Sequence, residues 1–89
     1  MFIEDVNGEY VNIKYILRVY KQMGDVRQNL MNKGGLETTY EICAELVVAG
    51  DTTRTITLAK NIAEDEIDST LESIMDSIDE RIAKAKQAL

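Results

Sequence analysis

Few residues in this chain could do chemistry. It has no histidine and one thiol, Cys43, so zinc sites built from Cys and His are excluded on composition. A nucleophilic cysteine needs a neighbouring base or an electropositive, exposed setting. Cys43 stands mid-run among apolar residues, where a cysteine serves as a small buried hydrophobe. Glu41 and Glu45 share one face of the same extended run, but the strand rise separates them by about 13 Å, too far for a glycosidase carboxylate pair. Glu64, Asp65, Glu66 and Asp68 lack the glycine and the spacing of an EF-hand loop and read as the solvated start of a helix. Gly34-Gly35 is followed by no Gly-Lys-Ser/Thr, so it is not a phosphate loop. The expectation is a protein with no catalytic residues, no metal site and no cofactor, and hence not an enzyme.

The basic residues are more informative. Lys14, Arg18, Lys21, Arg27 and Lys33 crowd one stretch against a single acid, Asp25, and Tyr15 and Tyr20 interleave with them. Arginines beside aromatic rings can hold a nucleotide or phosphate. Arg18, Lys21, Arg27 and Arg54 are therefore the candidate anion-binding residues. The competing reading is a charged, solvated sheet surface.

Charge is unevenly spread along the chain. Residues 1–60 carry eight acids and seven bases, while residues 61–89 carry eight acids and three bases. Together these give the net charge of −6. An acidic field of this kind argues against duplex nucleic acid as a partner. The longest uncharged apolar run, Leu46 to Ala49, is far too short to cross a bilayer, so no membrane partner is expected. The opening Met1-Phe2-Ile3-Glu4-Asp5 has no basic n-region and no apolar h-region. With the lone thiol, that makes a cytoplasmic location the expectation.

These residues must be positioned by a small α+β fold. The expected architecture is an antiparallel sheet of about five strands covered on one face by a long C-terminal amphipathic helix, in a single domain spanning 1–89. Phe2 to Asp5 and Glu9 to Val11 read as strands around an Asn7-Gly8 turn whose two residues both take positive φ. Asn12 can cap a single turn through Ile13, Lys14 and Tyr15. Ile16 to Gln22 reads as a third strand. Residues 23–36 read either as a mobile loop or as a short helix. The helical reading rests on the Asp25/Gln28 capping pair, on Met23, Val26 and Leu30 at helical spacing, and on a stop at Gly34-Gly35. Glu37 to Ala49 alternates as a long strand, Gly50-Asp51 turns, and Thr52 to Leu58 returns.

The helix is expected to start near Asn61 or Ile62, with Asn61 as its cap and Glu64 at the third helical position. Ile67, Leu71, Ile74, Ile78, Ile82, Ala85 and Leu89 then recur as one apolar stripe, widened by Met75 and Ala88. Acids crowd its first turns and bases its last, which complements the helix dipole. Of the stripe, Ile67, Leu71, Ile74, Ile78 and Ile82 are the candidate interaction residues. The expected core comprises Ile3, Val11, Ile16, Val19, Tyr40, Ile42, Leu46, Val48, Ile56, Leu58, Ile67, Leu71, Ile74 and Ile78.

The opening residues carry a family resemblance. A short strand, Asn7-Gly8, a second strand, Asn12 and Ile16 resemble the start of the FlbD-like family of small bacterial proteins, and Thr52 to Ile78 is similar to that family's later strands and terminal acid-rich helix. The connection from Met23 to Glu37 is longer than the family pattern. The resemblance implies a small non-enzymatic bacterial or phage protein linked with motility regulation, with no functional residues to transfer.

Three functions are consistent with these readings. The first is a regulatory or interaction protein that binds a protein partner, itself a homo-oligomer and in the first instance a dimer. A phage-type inhibitor is the second, its acidic helix imitating nucleic acid in a basic groove. The third is a binder of a small anionic ligand through Arg18, Lys21, Arg27 and Arg54.

Overall fold

The computed structural model of the chain describes residues 1–29 and 35–87, excepting the side chains of 29 and 85–87. It contains strands β1 (Phe2–Glu4), β2 (Tyr10–Asn12), β3 (Ile16–Asn29), β4 (Gly35–Ala49) and β5 (Thr52–Ile62), then helix α1 (Ile67–Gln87). All pairings are antiparallel. The fold is α+β, with five strands and one C-terminal helix against the sheet. The strands divide between a two-stranded ribbon, β1-β2, and a three-stranded sheet in the order β3-β4-β5.

The β1-β2 turn is built on an acid, not on a two-residue Asn7-Gly8 turn. The Asp5 carboxylate is buried and accepts from the backbone N–H of Asn7 and of Glu9, both at 2.9 Å. Gly8 alone in that turn takes positive φ, +79°, a conformation that is inexpensive for glycine. The Val6 N–H donates to the Thr57 carbonyl and ties the ribbon to β5. Asn12 caps the following turn as its side chain suggested, accepting from the Lys14 N–H at 3.2 Å. That turn also carries Ile13 into the core, outside the core expected from the sequence.

The largest departure from expectation lies in 23–36. It is neither helix nor loop over the described residues, because β3 continues to Asn29 and β4 begins at Gly35. Residues 30–34, with Leu30, Lys33 and Gly34, lie outside the described residues. The helical spacing of Met23 and Val26 loses to cross-strand pairing. Val26 faces Thr38, Arg27 faces Glu37 and Gln28 faces Leu36. A bulge makes this possible by setting Gly24 and Asp25 against the single residue Thr39. Thr39 is buried there, and its hydroxyl donates to the Asp25 carbonyl. A side chain at Gly24 would stand 3.3 Å from the Thr39 hydroxyl oxygen and 3.4 Å from its carbonyl oxygen, so glycine lets the two backbones close up.

The helix also starts later than expected. β5 runs on to Ile62, which pairs with Tyr40 and is buried against Ile42 and Ile67. Asn61 is therefore not the cap. It sits at a β-bulge with φ of 59°, a left-handed conformation that asparagine tolerates better than most residues. The Glu66 carbonyl accepts from the Thr70 N–H and from the hydroxyls of Ser69 and Thr70, fixing the first turn at Ile67.

α1 lies across one face of the three-stranded sheet. Three clusters form the core: Val11, Ala44, Leu46 and Ile56; Ile3, Ile13 and Ile78; and Ile42, Ile62 and Ile67. Half-buried Val19 and Leu58 touch all three and make the core continuous. Val48 is a correction to the expected core. It is 59% exposed, expelled by a register shift between Val47 and Ala49 at the end of β4. The molecule measures 55 × 28 × 19 Å with a radius of gyration of 15.4 Å, against about 12 Å for a globular chain of this length. The excess fits one feature: the far half of the β3-β4 hairpin, an arm that runs on past the start of α1.

Candidate functional site

Each candidate anion-binding residue meets a different carboxylate. Arg18 pairs with its cross-strand neighbour Glu45 at 3.0 Å, and Arg27 with its neighbour Glu37 at 3.2 Å. Lys21 reaches across to α1, with Nζ 2.6 Å from Asp68. Arg54 meets Glu9 of the β1-β2 turn at 3.1 Å. Register separates them further. Arg18 lies opposite Glu45 and Arg54 opposite Leu46; since Glu45 and Leu46 are consecutive in β4, the two arginines occupy opposite faces. The four bases are not brought together, and an anion at any of them would have to displace a carboxylate. Arg18 also lies over the Tyr20 ring, 4.5 Å from its centroid, so both its charge and its flat face are already engaged.

Cys43 sits on the face of the sheet turned away from α1, between Tyr20 and Thr57 in the register. Those neighbours leave it 1% exposed. Burial holds its thiol above the usual cysteine range. A hydrogen bond with Thr57 opposes that shift, and the nearby Glu41 charge adds to it. A thiol kept protonated in this way is a poor nucleophile at neutral pH. Among the described residues, no group of three Cys, Asp or Glu side chains is placed to hold a metal ion. Likewise no helix among them is long and apolar enough to cross a membrane.

The stripe on α1 docks unevenly. Ile67 and Ile78 are buried, Leu71 and Ile74 half-buried, and Ile82 is 39% exposed. Near Ile78 a groove of about 270 Å³ runs between α1 and the β1-β2 ribbon, lined by Ile3, Leu58, Ile74 and Ile78 with Glu4, Ser77 and Arg81. Arg81 closes one side by donating to the Phe2 carbonyl at 2.6 Å.

The arm presents the most unusual surface. On β4, Leu36, Thr38 and Tyr40 share the face that carries Ile42 and α1 further along. On β3, Met23 faces Tyr40 and Val26 faces Thr38, so they lie on that face too. Beyond the start of α1 the face stays apolar but loses its cover: Met23 is 69% exposed, Val26 58% and Leu36 78%. Met23, Leu36, Glu37, Thr38 and Tyr40 line an open recess of about 580 Å³, and Glu64 and Asp65, just before α1, form its acidic wall. The opposite face of the arm is polar and internally paired through Arg27–Glu37 and the Gln22–Glu41 hydrogen bond.

Sequence reasoning missed this surface because it read 23–36 either as a mobile loop or as a short helix, and neither reading puts Met23, Val26 and Leu36 on a strand face. The signal was available in β4, where the alternation through Tyr40, Ile42 and Ala44 extends backwards without interruption to Thr38 and Leu36.

No family model, no curated protein and no solved structure matches the chain, so the FlbD-like expectation rests on Asn7, Gly8, Asn12, Ile16 and the later pattern alone.

Proposed function

We propose that this chain is a non-enzymatic interaction protein that binds a protein partner through the α1-side face of its β3-β4 arm. One observation carries the reading: Met23, Val26 and Leu36 stand exposed together on one strand face, beside a recess that Tyr40 floors. Single exposed apolar residues are ordinary, whereas a contiguous apolar patch with a polar rim marks a contact surface. Methionine and tyrosine are enriched at the centre of such contacts. The face is a better contact than the edge. The outer edge of β3 carries Lys21 and two bulges, at Leu17 and at Gly24-Asp25, which are devices that discourage strand addition.

A photo-activated cross-linking residue at position 36 tests the reading in the producing cell. Irradiation is expected to trap a protein adduct, and adding Met23→Lys and Val26→Lys is expected to abolish it. Absence of any adduct at position 36, while the same residue incorporates and the chain folds, sinks the proposal.

A further inference from the structure

We infer that the occupant of the arm's recess is a cationic amphipathic segment of a partner protein; this rests on the reading of the arm as a contact surface. Its apolar side chains lie on Met23, Val26 and Leu36, and a lysine or arginine meets Glu64 and Asp65. The apolar face alone does not choose among partners, but the acids beside it do. Glu64 and Asp65 line the same recess as Met23 and Leu36. A segment that covers the apolar residues therefore also takes water from the two carboxylates. Stripping water from a carboxylate is costly unless a counter-charge replaces it. The partner must bring a cation together with its apolar residues.

The described bases of this chain do not supply that cation. Arg18, Arg27 and Arg54 hold Glu45, Glu37 and Glu9. Lys21, on the same sheet face as Met23, holds Asp68 at 2.6 Å. Glu37, the third acid in the recess lining, is thus already matched, and no base is among the described residues that line it. Glu64 and Asp65 are exposed and form no ion pair among the described residues. Four carboxylates at the sheet are neutralised internally, and this pair is left to another molecule. A second copy is a poor source, because each copy carries a net charge of −6 and two copies repel. The same field disfavours nucleic acid and anionic surfaces, and it draws in a cationic partner. From Tyr40 to Leu36 the face is about 13 Å long by strand rise, a length that about nine residues of helix cover. Such a helix would continue along the arm the layer that α1 forms over the rest of the sheet.

The cross-link at position 36, formed in the producing cell, tests this when combined with two charge reversals of equal size. Glu64→Lys with Asp65→Lys reverses the recess wall. Asp76→Lys with Asp79→Lys makes the same change in net charge at exposed positions further along α1 that do not line the recess. The wall reversal is expected to lower the adduct yield at least about tenfold, and the distant reversal by less than about twofold. Glu64→Gln with Asp65→Asn keeps the shape of the wall and is expected to lower the yield by an intermediate factor. It carries the test if circular dichroism shows that the lysines disturb the start of α1. The cross-linked partner peptide, released by a protease that does not cut at lysine or arginine, is expected to be net positive. An adduct that withstands loss of the wall charge, or that falls equally with both reversals, overturns the inference and leaves the arm as a contact surface. A neutral or acidic partner peptide does the same, as does an adduct of twice the 10.0 kDa chain. No adduct with the unreversed chain removes both readings.

Discussion

The two halves of the β3-β4 hairpin carry the same alternation on the same face, and only one half is covered. Near the turn to β5, Val19, Ile42 and Ala44 meet α1 and the β1-β2 ribbon, and Ile42 has no exposure at all. Beyond the start of α1, Met23, Val26 and Leu36 continue the pattern and stand exposed, with half-buried Tyr40 marking the border where it packs against Ile42, Ile62 and Ile67. The contrast teaches that period-two patterning records which side of a strand is apolar and leaves open who covers it. A chain that spends a 14-residue strand on a hairpin its own helix only half covers has apolar surface left for another molecule.

The sharpest way to break this comparison is to truncate one residue from each half. Ile42→Ala removes a fully buried side chain next to Ile62 and Ile67, and is expected to cost about 2–5 kcal/mol. For a domain of this size that lowers the melting temperature by about 10 °C or more. Leu36→Ala, on the arm, is expected to change the stability of the monomer by about 0.5 kcal/mol or less. Thermal melts followed by circular dichroism at low concentration decide the matter. Comparable losses at the two positions would mean that the arm is part of the cooperative core and that its face is not free.

A middle-sized effect sharpens the comparison from the packed end. Asp5 is buried with its carboxylate accepting two backbone N–H groups. Asp5→Ala leaves those donors without their partner and is expected to cost about 1–2 kcal/mol. Asp5→Asn retains an acceptor oxygen and is expected to recover part of the loss. Urea titration measures both, and equal losses would show that the carboxylate charge, not the acceptor geometry, holds the turn.

Asp5 also shows where sequence reading stops. The fold class, the Asn12 cap, the β4-β5 hairpin and the docking of Ile67, Leu71, Ile74 and Ile78 follow from local patterns that tertiary structure did not override. Asn7-Gly8 marked the turn correctly, but the choice of turn was made by Asp5, whose hydrogen bonds depend on loop geometry. The same holds at Asn61, where a good capping residue was outcompeted by the burial of Ile62, and at 23–29, where helical spacing was outcompeted by pairing with β4. The four bases illustrate the limit for sites. Their clustering in sequence was plain, yet strand register sends Arg18 and Arg54 to opposite faces and gives each base its own acid. Register is a long-range property, fixed by bulges such as Gly24-Asp25 that no local pattern announces.

The smallest expected effect is at the seam between the two regions, where Lys21 of β3 meets Asp68 of α1. The Asp68 hydrogen bond and charge hold the Lys21 ammonium above the ordinary lysine value of 10.5. A raised value in the folded state favours the charged form there, so the pair's contribution is fully present below 10.5. It is lost as the pH climbs through the raised value. Across pH 6–9 the pair therefore adds no pH dependence. Both side chains are well exposed, so solvent and salt screen the attraction. Lys21→Met keeps the apolar stem and removes the charge. It is expected to lower the melting temperature by no more than about 2 °C at low ionic strength and by less at 1 M salt. A large, salt-insensitive loss would mean that this bridge, and not the packing of Ile67 on Ile42 and Ile62, fixes where the helix begins and therefore where the arm's cover ends.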